Sequence, residues 1–135
     1  MLDLYFRYPH PIRFLRRGLA GPCIDGYAKA LHDEGYSYID GQRLLHAAHH
    51  VGEWAARRGV LLQALDEHAL ARFDEHLRKC CCKRASRRSH RGLSQHRPGA
   101  RRFLRYLRAA GIAHPAPRPT PAPLVLEHAA WLRDR

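Results

Sequence analysis

Arginine is the residue type in this sequence best suited to chemistry, and nearly half of the arginines lie between residues 78 and 108. This stretch contains twelve Lys and Arg residues and no Asp or Glu. A guanidinium donates two parallel N–H groups to two phosphate oxygens, whereas an ordinary solvated surface mixes both charge signs. We therefore predict phosphate binding by eight arginines: Arg84, Arg87, Arg88, Arg91, Arg97, Arg101, Arg105 and Arg108.

The last four of these arginines, Arg97 to Arg108, follow one another at steps of three or four residues. On a helix, this spacing places them on one side. Phe103, Leu104 and Leu107 fall on the other side, which would face a core. One helix is thus predicted to pack against the protein and to present a row of arginines to phosphates.

Two further residues have side chains suited to reading base edges. Gln42 and Arg43 lie near the start of a predicted long helix. Amide and guanidinium groups form paired hydrogen bonds with adenine and guanine in the major groove. We include both residues in the predicted DNA-binding set, because groove entry at a helix start would bring them to the bases.

Histidines form a second group of candidate ligands. His46 and His50 are four residues apart on the same predicted helix, with His49 and Glu53 beside them. Two imidazoles at this spacing share a helix face and are typical of zinc sites. The sequence shows no evident partner on a second element that would complete the site, and His49 is expected to face solvent.

The cysteines offer a different metal site. His76, Cys80, Cys82 and His90 lie within fifteen residues of one another. Adjacent cysteines point in different directions, so a closed tetrahedral site would strain the backbone. We predict no metal and no cofactor, and both histidine sets stand as alternatives.

Composition limits the class of protein. The chain has 135 residues, which is room for one small domain with tails. Its 24 Lys and Arg against 12 Asp and Glu give a net charge of +12, which favours nucleic acid first and an anionic membrane surface second. No secretory signal or membrane-spanning stretch is evident. Three of the four cysteines are consecutive, which is poor spacing for disulfides, so we expect a cytoplasmic protein.

Apolar periodicity predicts an all-α fold of four helices. The first begins at Pro22 and stops at Gly35, the second runs from Ser37 to Arg58, the third begins near Asp66, and the fourth ends at Gly111. Ser37 and Asp66 are predicted N-caps. Residues 79–97 lack an apolar period and are predicted to form a loop.

These elements divide the chain into four parts. An irregular basic arm (residues 1–21) is interrupted by prolines, and the helical DNA-binding domain occupies residues 22–112. A proline-rich linker (113–123) leads into the start of a further helix or second module (124–135).

Several motifs occur in a familiar order. They are Gly35-Tyr36-Ser37, the stripe of Leu44, Leu45, Val51 and Trp54, the stop Arg57-Arg58-Gly59, and Phe103-Leu104-Arg105-Tyr106-Leu107-Arg108 followed by Gly111-Ile112. Together they resemble the N-terminal core-binding (SAM-like) domain of the tyrosine recombinase, or phage integrase, family. Asp40, Ala55 and the triple cysteine depart from the usual pattern of that family.

The resemblance implies a small four-helix domain that lies on one side of duplex DNA. In that family a separate, larger domain carries the catalytic residues, so it implies no catalytic centre in this chain. His10 and Arg13 match a His-x-x-Arg pattern only by coincidence, because prolines surround them. The expected role is in site-specific recombination, integration or transposition. The implied partners are double-stranded DNA and other recombinase protomers, with no membrane.

Two other classes remain as alternatives. One is a small metal-binding helical protein that uses the histidine cluster. The other is a basic module that binds protein or anionic lipid. Metal analysis would identify the first, and a salt series of gel shifts with duplex and single-stranded competitors would separate the second from a DNA-binding domain.

Overall fold

The computed structural model describes residues 2–79 and 90–114, and for residues 90–95 it describes the backbone only. The described residues form two short 3-10 turns, Leu2–Leu4 and Leu62–Ala64, and five α-helices. The helices are α1 (Pro9–Arg17), α2 (Gly21–Asp33), α3 (Tyr38–Arg58), α4 (Glu67–Lys79) and α5 (His90–Ala109). No strand occurs in these two ranges, so the predicted all-α class is confirmed.

Side-chain caps fix the starts of two helices, as predicted. The Ser37 hydroxyl accepts a hydrogen bond from the backbone N–H of Asp40 at 3.1 Å and opens α3. A carboxylate oxygen of Asp66 accepts from the N–H of Ala69 at 2.8 Å and opens α4. Both caps satisfy backbone donors that have no partner within the helix.

The predicted irregular N-terminal arm is wrong. Residues 9–17 form α1, and its two prolines lie in the first turn, where their missing N–H groups have no helical partner to lose. Leu2, Tyr5 and Leu15 are buried in the common core. The helical domain therefore begins near Leu2 rather than at residue 22.

The predicted loop over residues 79–97 is also wrong in its second part, because α5 already begins at His90. Residues 80–89 lie outside the described part of the chain. Arg and Gln are good helix formers even where no apolar residue marks a period. Pro98 is tolerated inside the helix.

The α3–α5 pair forms the most extensive helix contact in the described residues. Gly99 of α5 lies against Ala47 of α3, so closely that a Cβ on Gly99 would approach the Ala47 methyl to 2.6 Å. Around this contact the core holds aromatic residues, with Tyr27, Phe73 and Phe103 fully buried. Of the predicted linker and second module, residues 115–135 lie outside the described residues.

Candidate nucleic-acid interface

Helix α5 has the two-sided character that its sequence predicts. Ala100, Phe103, Leu104 and Leu107 are buried on one side. On the other side, the side chains of Arg101 and Arg105 are 64% and 67% exposed, and that of Arg97 is 45% exposed. We call Arg97, Arg101 and Arg105 the exposed arginine row.

Carboxylates from other helices lie beside this row. Asp74 of α4 lies 3.4 Å from Arg97 Nε and 3.5 Å from a terminal nitrogen of Arg101. Glu34, just after α2, lies 3.8 Å from Arg105. The basic stretch contains no acidic residue in sequence, but in the folded protein carboxylates from other helices lie beside its arginines. These distances are long for ion pairs, and although Asp74 is only 17% exposed, the arginines of all three pairs are open to solvent, so the pairs are weak.

Arg108 differs from the row, although it belongs to the predicted set. Its side chain is only 17% exposed, and both of its terminal nitrogens donate to the carboxylate of Glu67, one of them at 2.9 Å. Arg108 Nε donates to the backbone oxygen of His114 at 3.2 Å. The bidentate bond holds the pKa of Glu67 down at about 2. Arg108 thus ties α5 to α4 and is poorly placed for phosphate.

Arg102 stabilises the fold from within the core, and the sequence analysis did not predict this role. Its side chain is 8% exposed and donates to Glu34 at 2.7 Å. The guanidinium also lies over the rings of Tyr27 and Tyr36, with its carbon 5.7 and 5.8 Å from their centroids. Its position next to Phe103, off the Arg97–Arg101–Arg105 line, was the available signal that it faces inward.

The predicted base-reading pair has internal partners. Gln42 Nε2 donates to the backbone oxygen of Tyr5 at 2.8 Å and holds the N-terminal segment against α3. Arg43 is half exposed and lies 3.9 Å from Asp40, one helical turn away. Arg43 remains accessible to a ligand, whereas the amide of Gln42 is engaged in the fold.

The side chains of four arginines in the predicted DNA-binding set lie outside the described part of the structure. Arg84, Arg87 and Arg88 lie outside the described residues. Arg91 lies in the first turn of α5, and its side chain is outside the described part of the structure.

The histidines of α3 diverge. His46 packs edge-on against Phe6 with ring centroids 5.6 Å apart, and His49 packs on Phe14 at 4.3 Å. His49 is buried, so the expectation that it faces solvent is wrong. His50 points towards α4 and α5 instead. His46 and His50, the two residues of the alternative zinc site, therefore contact different parts of the protein.

His50 connects three helices. Its Nδ1 lies 2.8 Å from Nδ1 of His96 on α5, and its Nε2 lies 3.2 Å from Nε2 of His76 on α4. We call these three residues the histidine chain. Burial, followed by repulsion from His96 and His76 when these rings are protonated, lowers the pKa of His50 to about 3, so this ring is neutral at pH 7.

The geometry of the histidine chain differs from that of a metal site. His96 and His76 face opposite nitrogens of the His50 ring, so the three cannot direct nitrogens at one point. Over residues 2–79 and 96–114, no group of three or more His, Cys, Asp or Glu side chains is arranged to hold a metal ion. The Cys80, Cys82 and His90 side chains of the other predicted set are not among the described ones.

Fold and site together define a small helical domain with a basic face on its fifth helix. No protein family model matches this chain, and no curated protein or solved structure matches it either. The resemblance to tyrosine recombinases thus depends on sequence motifs alone. Each described helix is too short or too polar to cross a membrane.

Proposed function

We propose that this chain is a duplex-DNA-binding module, the non-catalytic N-terminal part of a tyrosine recombinase that acts in site-specific recombination, integration or transposition. The observation that supports the proposal best is the two-sided α5. Its apolar side is anchored in the core, and its exposed arginine row lies at the surface of a chain with a net charge of +12.

The loose ion pairs suit this role. In the absence of DNA, Asp74 and Glu34 keep the arginines of the row in a limited set of orientations. A phosphate that offers shorter, charge-assisted hydrogen bonds replaces such pairs at little loss of free energy. Contacts of this kind supply affinity and position on the duplex rather than a choice of sequence.

The test is a salt series on the full chain. Duplex binding is followed by fluorescence anisotropy for the wild type, for R97Q/R101Q/R105Q and for R7Q/R13Q/R17Q. The second triple variant is the matched control, because Arg7, Arg13 and Arg17 are exposed and their replacement removes the same charge. A Lys version of the first variant keeps the charge and shows whether the guanidinium fork matters.

Each phosphate contact that is lost lowers the slope of log K against log salt by about 0.9. We expect the row variant to lose two to three such contacts, about 2 to 3 in slope, and the control to lose less than one. Equal losses in both variants would show that net charge alone attracts the DNA. Absence of duplex binding by the wild type in dilute buffer would overturn the proposal. Thermal melting of each variant shows whether it is folded.

A further inference from the structure

A second basic feature lies away from α5, between the C-terminal parts of α3 and α4. It is a cavity of about 220 Å³. Its lining consists of Trp54, Arg58, Arg72, Glu75, His76 and Lys79. Sites for whole cofactors or drug-sized molecules usually measure about 300–1,000 Å³. This cavity is therefore suited to a small ion or to one group of a larger molecule. We call it the α3–α4 cavity.

The lining carries an excess of positive charge. Arg58, Arg72 and Lys79 line the cavity together with one carboxylate, Glu75, and Lys79 also interacts with another group. In the described part of the chain, neither Arg58 nor Arg72 forms an ion pair with a carboxylate. The α5 arginines from Arg97 to Arg108 lie beside Asp74, Glu34 or Glu67, whereas Arg58 and Arg72 are available to a ligand.

One wall of the cavity is aromatic. Trp54 is 3% exposed, and its ring packs edge-on against Phe73 at 5.6 Å. Its Nε1 is buried and has no hydrogen-bond partner among the described residues. The ring of Trp54 is therefore a rigid wall of the cavity, and its Nε1 lies within the core.

His76 links the cavity to the histidine chain. One ring nitrogen, Nε2, lies 3.2 Å from Nε2 of His50. Burial, and then the charges of Arg57 and Arg58, lower the pKa of His76. An anion between Arg58 and His76 would oppose that field and favour a proton on the ring.

We propose that the α3–α4 cavity binds a dianionic phosphate group, either inorganic phosphate or a phosphomonoester, through Arg58 and Arg72. Two guanidinium groups without a carboxylate partner favour a ligand that carries two negative charges. A phosphomonoester carries about −1.5 to −2 at neutral pH, whereas each phosphodiester of a nucleic-acid backbone carries only one negative charge. This site is distinct from the arginine row and does not depend on the DNA-binding proposal.

Trp54 makes the test direct. The chain has two tryptophans, Trp54 and Trp131, so a W131F background reports fluorescence from Trp54 alone. Inorganic phosphate is titrated at about pH 7.5, where it is mainly dianionic, with ionic strength held constant by sodium chloride. We expect a saturable change in the wild-type site and an affinity about tenfold weaker in R58Q and in R72Q.

The control is R43Q. Arg43 lies on the same helix as Arg58, fifteen positions earlier, which is about 22 Å along the axis. We expect R43Q to bind phosphate as the wild-type site does. R58K and R72K keep the positive charge, so they separate loss of the guanidinium from loss of the fold. Thermal melting checks that every variant is folded. A fluorescence change that does not saturate with phosphate would overturn the proposed site. So would a loss of phosphate affinity in R43Q equal to that in R58Q and R72Q.

The two sources of the phosphate are distinguished by competition. A short duplex with 5′-phosphate ends, which are monoesters, is compared with the same duplex bearing 5′-hydroxyl ends. Displacement of inorganic phosphate by the phosphorylated duplex alone identifies a nucleic-acid end as the ligand. Displacement by neither identifies a small phosphorylated molecule. If the hydroxyl duplex displaced phosphate equally well, the preference for a dianion would be wrong.

Discussion

His50 Nδ1 lies 2.8 Å from His96 Nδ1, so a hydrogen bond between two imidazoles joins α3 to α5. Two ring nitrogens at this distance share one proton, with one ring donating and the other accepting. The other nitrogen of His50 makes a similar contact with His76 at 3.2 Å. Three neutral rings satisfy both contacts, with each ring carrying a single N–H. A second added proton breaks the pattern, because adjacent rings would then both be donors.

The first prediction is that acid weakens the fold through this chain. The pKa of His50 falls from 6.5 to about 3 because of burial and then the fields of His96, His76, His49 and Arg57. Because the folded state resists protonation of His50, the neutral ring contributes to the free energy of unfolding. This contribution is complete above pH 6.5 and is lost as the pH falls towards 3. One proton gives a slope of about 1.4 kcal/mol per pH unit. Urea unfolding at about pH 7, 6 and 5 measures it, above the range where carboxylates titrate.

H50Q should flatten this pH dependence, since it removes the most strongly shifted group. H68Q is the matched control, because His68 is exposed on α4. A slope in H50Q equal to that in H68Q would contradict the role of the histidine chain.

The second prediction concerns the buried arginine. R102A removes an ion pair with Glu34 and the contacts of the guanidinium with Tyr27 and Tyr36. We expect unfolding free energy to fall by about 2 kcal/mol or more, less than for a fully buried pair because Glu34 is half exposed. R101A, one residue earlier, should change it by less than about 1 kcal/mol. Chemical denaturation of both variants makes the comparison, and similar losses would refute it.

Local signals in the sequence predicted most of the fold. Ser37 and Asp66 cap helices through atoms three residues away, and such short-range chemistry is visible in a sequence. The prolines of α1 led to the wrong prediction of an irregular arm, because proline occurs both at the ends and in the first turns of helices. Only the packing of Leu15 in the core decides between these two roles.

The site was harder to predict than the helices, because its partners come from distant positions. Asp74 lies 23 residues before Arg97, and Glu34 lies 68 residues before Arg102. Charge counted along the chain therefore overstated how many arginines are available. The divergence of His46 from His50 likewise depends on which helices pack against each end of α3.

The third prediction tests the close approach of α3 and α5. In G99A, the new methyl group would lie 2.6 Å from that of Ala47, so the helices must separate. Alanine gains about 1 kcal/mol of helix propensity over glycine, yet overpacking typically costs about 1–3 kcal/mol. We expect a net loss of stability in thermal and urea unfolding.

The double variant A47G/G99A moves the methyl group from one helix to the other. It should be more stable than the sum of the single changes predicts, because the clash disappears. Additive effects of the two substitutions would show that the helices do not meet at this point.

The last prediction concerns Asp74 and depends on the proposed DNA-binding function. This carboxylate holds Arg97 and Arg101 only loosely, at 3.4 and 3.5 Å, and competes with phosphate for both. D74N removes the competitor and should raise duplex affinity several-fold in low salt, with a larger change than D33N, which removes an exposed charge at the end of α2. Anisotropy titrations of both variants at two salt concentrations measure the difference. Equal gains would mean that net charge alone acts, and weaker binding by D74N would mean that Asp74 orients the arginines rather than competing for them.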